Sequence, residues 1–458
     1  MQGKTCHAGK YSLIASAGFW SCGSISSVPS PKNTAGITSI PTTYHGTLTS
    51  IKTYSLVIMT NSSPAQLLAE IEALAANPPQ ELLNDAELRI KMYNACNAAR
   101  FALERPTEVV VQVLLSRSVE SALLSTALNM ELFPLLGKGD GEPKTLASLS
   151  TATGANQTLL KRVLRVLVAS GAVREHGNDT YTLPANYSLF ADPAFNNSVR
   201  NCASFMEPTL REIPGYLKAT GYQNPIDPKD TVIQKAFQQD GLTLFEILSD
   251  KPAAAQGLGV LLNTWADGHE FLQQMYPVQE RLVDSFDASI GPVLFVDVGG
   301  ATGQKAIALK DSLAHVPGKI IVQDLPVYVK QAPTVDGVEF MVHDFYTEQP
   351  IKNAKAYYIR QCLHNHPDEA CVEILSRLRE ACKPGYSKVL IHEQLVPEVG
   401  ASAESCVEDI TMMAMCGVGE RTEKEWTHII EKAGLKLLVV YSSKDGVSES
   451  VIETGVDK

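Results

Sequence analysis

Residues 63–79 (SPAQLLAEIEALAANPP) place apolar side chains at helical spacing between a Ser-Pro start and an Asn-Pro-Pro stop, predicting a helix. Residues 107–136 form a longer, largely apolar run that predicts a helical region buried on most faces. From 145 to 185 the pattern is a short helix, a turn at Gly154-Ala155-Asn156, an amphipathic helix over 157–169 and a hairpin turning at Gly177-Asn178-Asp179. That order is a winged helix-turn-helix. Residues 190–285 keep helical spacing, with interruptions expected at 207–216 and 224–230, where prolines gather. From Gly291 the period changes. Apolar, β-branched runs at 293–298, 319–324, 338–345, 354–360, 388–395 and 435–443 are separated mostly by helical patterns, notably 368–382 and 423–434. Such alternation predicts an α/β fold with a mostly parallel, Rossmann-like, doubly wound sheet. Residues 448–456 supply a seventh strand, antiparallel and at the C-terminus.

The pattern divides the chain into an extension over 1–62, a helical and winged-helix domain over 63–190, a helical linking region over 191–288 and an α/β domain over 289–458. The extension holds no acid and is rich in Ser, Thr, Gly and Pro, so it reads as disordered. Its lack of arginine and of a clear cleavage site argues against a leader peptide.

The 458 residues are 45% hydrophobic and 19% charged, which suits a globular protein of two or three domains. A net charge of −11 argues against a general grip on nucleic acid. The helix at 157–169 carries Lys161, Arg162 and Arg165, but its many Leu and Val residues suit packing better than DNA reading. Nine scattered cysteines without a Cys-x-x-Cys pair fit reduced thiols in the cytoplasm. No apolar run approaches the roughly 20 residues that span a bilayer, so no membrane partner is expected.

Candidate chemistry gathers at the strand ends. In VDVGGATGQ (296–304), glycines at 299, 300 and 303 let the chain turn sharply and let a ligand approach the backbone. Asp324 ends the second strand pattern, where an acid can accept hydrogen bonds from ribose hydroxyls, and Asp344 ends the third. No Walker lysine follows the loop. An acid at 297 would attract a ligand amino group and repel a pyrophosphate, so the cofactor expected is S-adenosylmethionine.

The segments LFVDVGGATGQ, QDLP, VHDF, YYIRQCLHNHPDE, VLIHEQLVPE and GVGERTEKEW, in this order and spacing, resemble the class I S-adenosylmethionine-dependent O-methyltransferases of the caffeic-acid type, in particular their fungal secondary-metabolite branch. The resemblance implies a winged-helix dimerisation domain that makes a homodimer. It also implies methyl transfer to a phenolic hydroxyl of an aromatic or polyketide-type metabolite. Residue by residue it puts Gly299 and Gly300 on the cofactor, Asp324 on its ribose, and Asp344 and Phe345 beside the adenine. Arg360 stands where the plant enzymes have a lysine, keeping positive charge near the cofactor, and Ala301 replaces the middle glycine of the family's GGGTG loop. His364 falls at the base position after the fourth strand, with Glu393 and Glu420 matching the two flanking acids. Met206, Trp265, His269, Met275, Met412 and Met413 fall in segments where the family lines its acceptor pocket, although methionines at helical spacing more often fill cores.

A phenol of pKa about 10 is a poor nucleophile until its proton leaves. A histidine base meets that need if an acceptor on its other ring nitrogen fixes the tautomer, a role open to Glu393 or Glu420. His366 has a different position: Pro367, Asp368 and Glu369 mark a helix start, so Asn365 or His366 is expected at its cap. His392 precedes Glu393 on a strand and should point to the opposite face. A zinc site built from His364, His366, His392 and Glu393 would need those last two on one side, so no metal is expected. A DNA-binding regulator and a catalytically silent protein on a methyltransferase fold are the alternatives, and the intact His364, Glu393 and Glu420 argue against both.

Overall fold

The computed structural model describes residues 63–139, 141–267, 271–443 and 449–457. The extension over 1–62 lies outside them. Two compact units divide the chain, one ending at Ala76 and one spanning Asn77–Lys458. In the first, the predicted helix forms as α1 (Pro64–Ala76), with no buried residue.

After a short helix over Gln80–Asn84, the second unit continues with α2 (Ala86–Leu103), capped by Asp85, whose carboxylate accepts the Leu88 amide at 2.9 Å. Next comes α3 (Pro106–Asn129), which carries a π-turn over Gln112–Ser116. The expectation that this run is buried on most faces fails for its first half. Val110, Val111, Val113 and Leu115 face out, and Leu114 is 68% exposed. Partial burial begins at Leu123 and Leu124, which pack on the winged-helix core, and full burial at Ala127 and Leu128. By length and composition α3 could cross a bilayer, so an apolar run of about that size does occur, contrary to the sequence reading.

The winged helix forms as read. Its strands β1 (Lys144–Thr145), β2 (Arg174–Glu175) and β3 (Thr180–Thr182) flank α4 (Leu146–Thr153) and α5 (Gln157–Ala169). Asn156 caps α5 by accepting the Thr158 and Leu159 amides. The helix buries Leu160, Val163, Leu164 and Leu167, and Lys161 reaches Asp179 across 2.6 Å.

Residues 207–216, expected to interrupt the following helices, lie inside α6 (Pro193–Ala219), which runs through Pro208 and Pro214. An internal proline costs about 3 kcal/mol of helix stability. Here burial of Cys202, Phe205, Thr209 and Tyr216 holds the helix together; Phe205 packs in one core with Ala254 of α7 (Pro252–Asp267).

The C-terminal sheet has seven strands: β4 (Val293–Val298), β5 (Lys319–Asp324), β6 (Val338–Val342), β7 (Ala356–Arg360), β8 (Lys388–Glu393), β9 (Lys436–Ser442) and β10 (Ser450–Gly455). Their order is β6-β5-β4-β7-β8-β10-β9, parallel except where β10 pairs antiparallel with β8 and β9. One face packs on α9 (Asp368–Ala381) and α11 (Glu423–Lys432) through Ile374, Leu378, Trp426 and Ile430. The other packs on α8 (Gln304–Ser312) and Leu272, Tyr276 and Leu282. Every residue of β4 is buried, as a central parallel strand covered on both faces must be. The chain leaves β4 for β5 and β6 on one side, then crosses back to β7 on the other. The crevice at the carboxyl ends of β4 and β7 is therefore the switch point where open α/β sheets bind ligands.

Candidate active site

Asp297, near the end of β4 and 3% exposed, keeps its Oδ2 buried without a hydrogen-bond partner. Burial pushes this carboxyl up to about 7, against the opposing pull of the Arg360 charge. The loop beyond it has little room for a side chain at Gly299 or Gly300. A Cβ on Gly300 would stand 2.6 Å from Asp297 Cγ, and one on Gly299 (φ +73°) would meet Cys362 Sγ at 3.2 Å and the Phe345 ring at 3.8 Å. Ala301 takes the left-handed conformation, φ +49°, that a glycine would adopt without strain. Its amide donates to Asp324 Oδ2 at 2.7 Å, and Asp324 Oδ1 accepts the Leu325 amide at 2.7 Å, so Asp324 ties β5 to the glycine loop. Exposed Asp344 holds the Tyr346 amide at 3.0 Å, and Phe345 packs edge-on to Tyr346 and His366.

At the end of β7 the chain turns through Gln361 (φ +46°) into a 3₁₀ turn, Leu363–Asn365. Glu393, on neighbouring β8, accepts the Cys362 and Leu363 amides at 3.0 and 2.9 Å. That leaves Glu420 as the acid that meets His364, with Oε1 2.7 Å from Nδ1. The Glu420 amide donates to Asp409 Oδ1 at 2.9 Å; Asp409 lies on α10 (Ala403–Cys416). Arg421 clamps the His364 segment through the Leu363 and His366 carbonyls and Asp368, and Thr422 caps α11. Three successive residues thus orient His364, fix its backbone and start the next helix. Burial alone would depress the His364 imidazolium, but the Glu393 charge and the hydrogen bond to Glu420 outweigh it and raise the group to about 9. Burial raises Glu393 to about 7 and Glu408 to about 8.

The remaining expected residues are placed as follows. Arg360 grips Glu449 with two guanidinium nitrogens, Nε at 2.6 Å, so its charge is held in a buried ion pair. His392 lies opposite Glu393, as strand parity requires, between Tyr358 Oη at 2.7 Å and Glu449 Oε2 at 3.1 Å. The helix after His366 begins one step later than read. Pro367 is its cap, because a residue before proline is kept out of helical conformation, and His366 bonds Tyr346 Oη at 3.0 Å. His366 and His392 are each engaged away from His364; Glu408 and Glu420 are the side chains brought to it. Met206 and Met412 share a core cluster with Phe205, Ile233 and Met415, and Met413 is half-buried on α10. Met275 joins the sheet core instead. The Trp265 side chain and His269 lie outside the described residues.

Comparison with known proteins decides what this crevice belongs to. Residues 267–436 match a family described as an O-methyltransferase domain, and 113–191 match an O-methyltransferase dimerisation domain. Demethylsterigmatocystin 6-O-methyltransferase of Aspergillus flavus is 36% identical over 345 residues, covering 73% of this chain and 86% of that protein. The chain belongs to the O-methyltransferase family. O-methyltransferase mpaG of Penicillium brevicompactum is 31% identical, covering 86% of this chain and 99% of that protein. Among solved structures, LepI complexed with SAM superposes with a TM-score of 0.77 at 28% identity, covering 86% of this chain and 100% of that one. OxaC in complex with sinefungin and meleagrin gives 0.70 at 26%, covering 85% and 98%.

This O-methyltransferase uses S-adenosylmethionine. Its crevice fits that group: Asp297 keeps a buried oxygen without a partner, and the Gly299–Gly300 cradle is one that any Cβ would fill. The sequence reading missed Glu408, Asp409, Arg421 and Glu449. Arg421 had a local signal, since it follows the flanking acid and precedes a capping Thr. The others act only across the fold.

Proposed function

We propose that His364 is the general base of methyl transfer to a phenolic hydroxyl of a polyketide-type aromatic metabolite. The observation carrying this reading is the buried His364–Glu420 pair at the sheet's switch point, hydrogen-bonded through Nδ1, which in the neutral ring leaves Nε2 to take a proton. Gly299, Gly300 and Asp324 hold the cofactor, Asp297 meets its amino group, and Phe345 and Asp344 border its adenine. Bound there, S-adenosylmethionine supplies an electrophilic methyl group on a sulfonium. His364 accepts the acceptor's hydroxyl proton at Nε2, Glu420 holds the tautomer and balances the imidazolium, and Glu393 keeps the turn in place. Arg360 acts on the cofactor site through its charge on Asp297 and its pair with Glu449. Met206, Met412 and Met413 border the acceptor side.

The relative named demethylsterigmatocystin 6-O-methyltransferase supports a metabolite hydroxyl as the acceptor. The enzyme works as a homodimer in the cytoplasm, the matched dimerisation segment supplying the contact and the exposed apolar turns of α3 being covered by the second copy. His364→Ala tests the assignment. Calorimetry should show S-adenosylmethionine binding unchanged, while mass spectrometry of hydroxylated aromatics shows methylated product falling about 10²–10⁴-fold. Near-normal turnover refutes the base. One solved structure of this fold, 28% identical, is of a pericyclic reaction enzyme, and the same assay would register an isomerised product without an added methyl.

A further inference from the structure

We propose that His364, Glu408 and Glu420 form a site for a divalent cation of the zinc class, and that filling it shuts off methyl transfer. Each residue offers one ligand atom, and these atoms lie within 4.8 Å of one another. They come from three separated places: the turn after β7, the middle of α10 and the loop before α11. The folded scaffold therefore assembles them, and they are no run of surface acids. An imidazole nitrogen and two carboxylate oxygens are ligand types that zinc takes at about 2.0–2.2 Å, which sets tetrahedral ligands roughly 3.4 Å apart. A second observation points the same way. Glu420 is more than nine-tenths buried, yet its Oε2 has no hydrogen-bond partner.

Zinc bound at His364 takes the place of any proton on that ring nitrogen, and the proton leaves to solvent. Magnesium, which takes oxygen ligands and keeps its waters, fits this set less well. A cation on Nε2 of His364 removes the lone pair the base uses, and one on Nδ1 displaces Glu420 and fixes the wrong tautomer. Binding stands on the geometry alone; the inhibition rests on His364 serving as the base.

The test uses the full-length enzyme with Cys6, Cys22, Cys96 and Cys406 replaced by serine, because Cys96 and Cys406 are exposed thiols that would bind zinc themselves. Zinc chloride is titrated calorimetrically into this protein and into its Glu408→Gln and Glu408→Asp forms. One micromolar site is expected, weakened at least tenfold in Glu408→Gln and less in Glu408→Asp, a size usual when part of a metal environment is lost. Cobalt(II) should give visible bands without thiolate charge transfer. Zinc should inhibit methylation competitively with the acceptor, reversibly by EDTA, with S-adenosylmethionine affinity changed less than twofold. Zinc binding of equal stoichiometry and affinity in Glu408→Gln overturns the site, as does a thiolate band from cobalt. Zinc binding that depends on Glu408 but leaves methylation untouched upholds the site and refutes His364 as the base.

Discussion

His364 and Glu420, fifty-six positions apart in the chain, meet at 2.7 Å, while Glu393 spends its carboxylate on two backbone amides. The two family-matched acids thus have separable jobs. Glu420→Gln keeps a hydrogen-bonding group but removes the balancing charge, so single-turnover methylation should fall roughly 10- to 100-fold with cofactor affinity and stability nearly unchanged. Glu393→Gln frees the Cys362 and Leu363 amides from a charged acceptor and should cost about 1.5–3 kcal/mol in denaturant unfolding.

The glycine loop sets a second pair of expectations. Ala301→Gly relieves a left-handed alanine and should leave stability unchanged or raise it by up to about 1 kcal/mol, the glycine's extra freedom in the unfolded chain offsetting part of the gain. Gly300→Ala drives a methyl group into Asp297 and should weaken S-adenosylmethionine binding more than tenfold by calorimetry.

Cofactor affinity should depend on pH through Asp297. Its carboxyl, raised by burial to about 7, is ionised above that pH and protonated below it. The ionised form pairs with a cationic amino group, so the dissociation constant should rise as pH falls from 8 to 5, by up to about tenfold per unit once the group is largely protonated. In Asp297→Asn the affinity should be weak and flat over that range.

Arg360→Lys restores the plant-type residue yet should destabilise this protein. Glu449 is gripped by a two-nitrogen fork that an ammonium cannot reproduce, and both side chains are nearly buried. A loss of more than about 1 kcal/mol in thermal or denaturant unfolding is expected, and Glu449→Gln, which leaves the arginine charge buried, should cost about 3–5 kcal/mol.

The exposed half of α3 predicts the assembly. Leu114→Glu puts a charge on the apolar stripe without touching the monomer's core, so light scattering should show a dimer converted to monomer.

Local signals carried much of the architecture. Period, glycines and caps depend on neighbours a few positions away, so α5, the strand ends and the Gly299–Gly303 turn were legible in sequence, and strand parity alone parted His392 from Glu393. Other outcomes needed the folded chain. α6 runs through two prolines because distant side chains bury against it, and half of the apolar α3 stays exposed because nothing in the unit packs over it. Which acid meets His364, which one holds the turn, and that Glu408 and Glu449 matter at all depend on closing β7, β8, α10 and β10 around one crevice. Sequence pattern determines which face a side chain takes on its own element; only tertiary packing brings side chains from separate elements within the few ångströms over which hydrogen bonds and buried charges act.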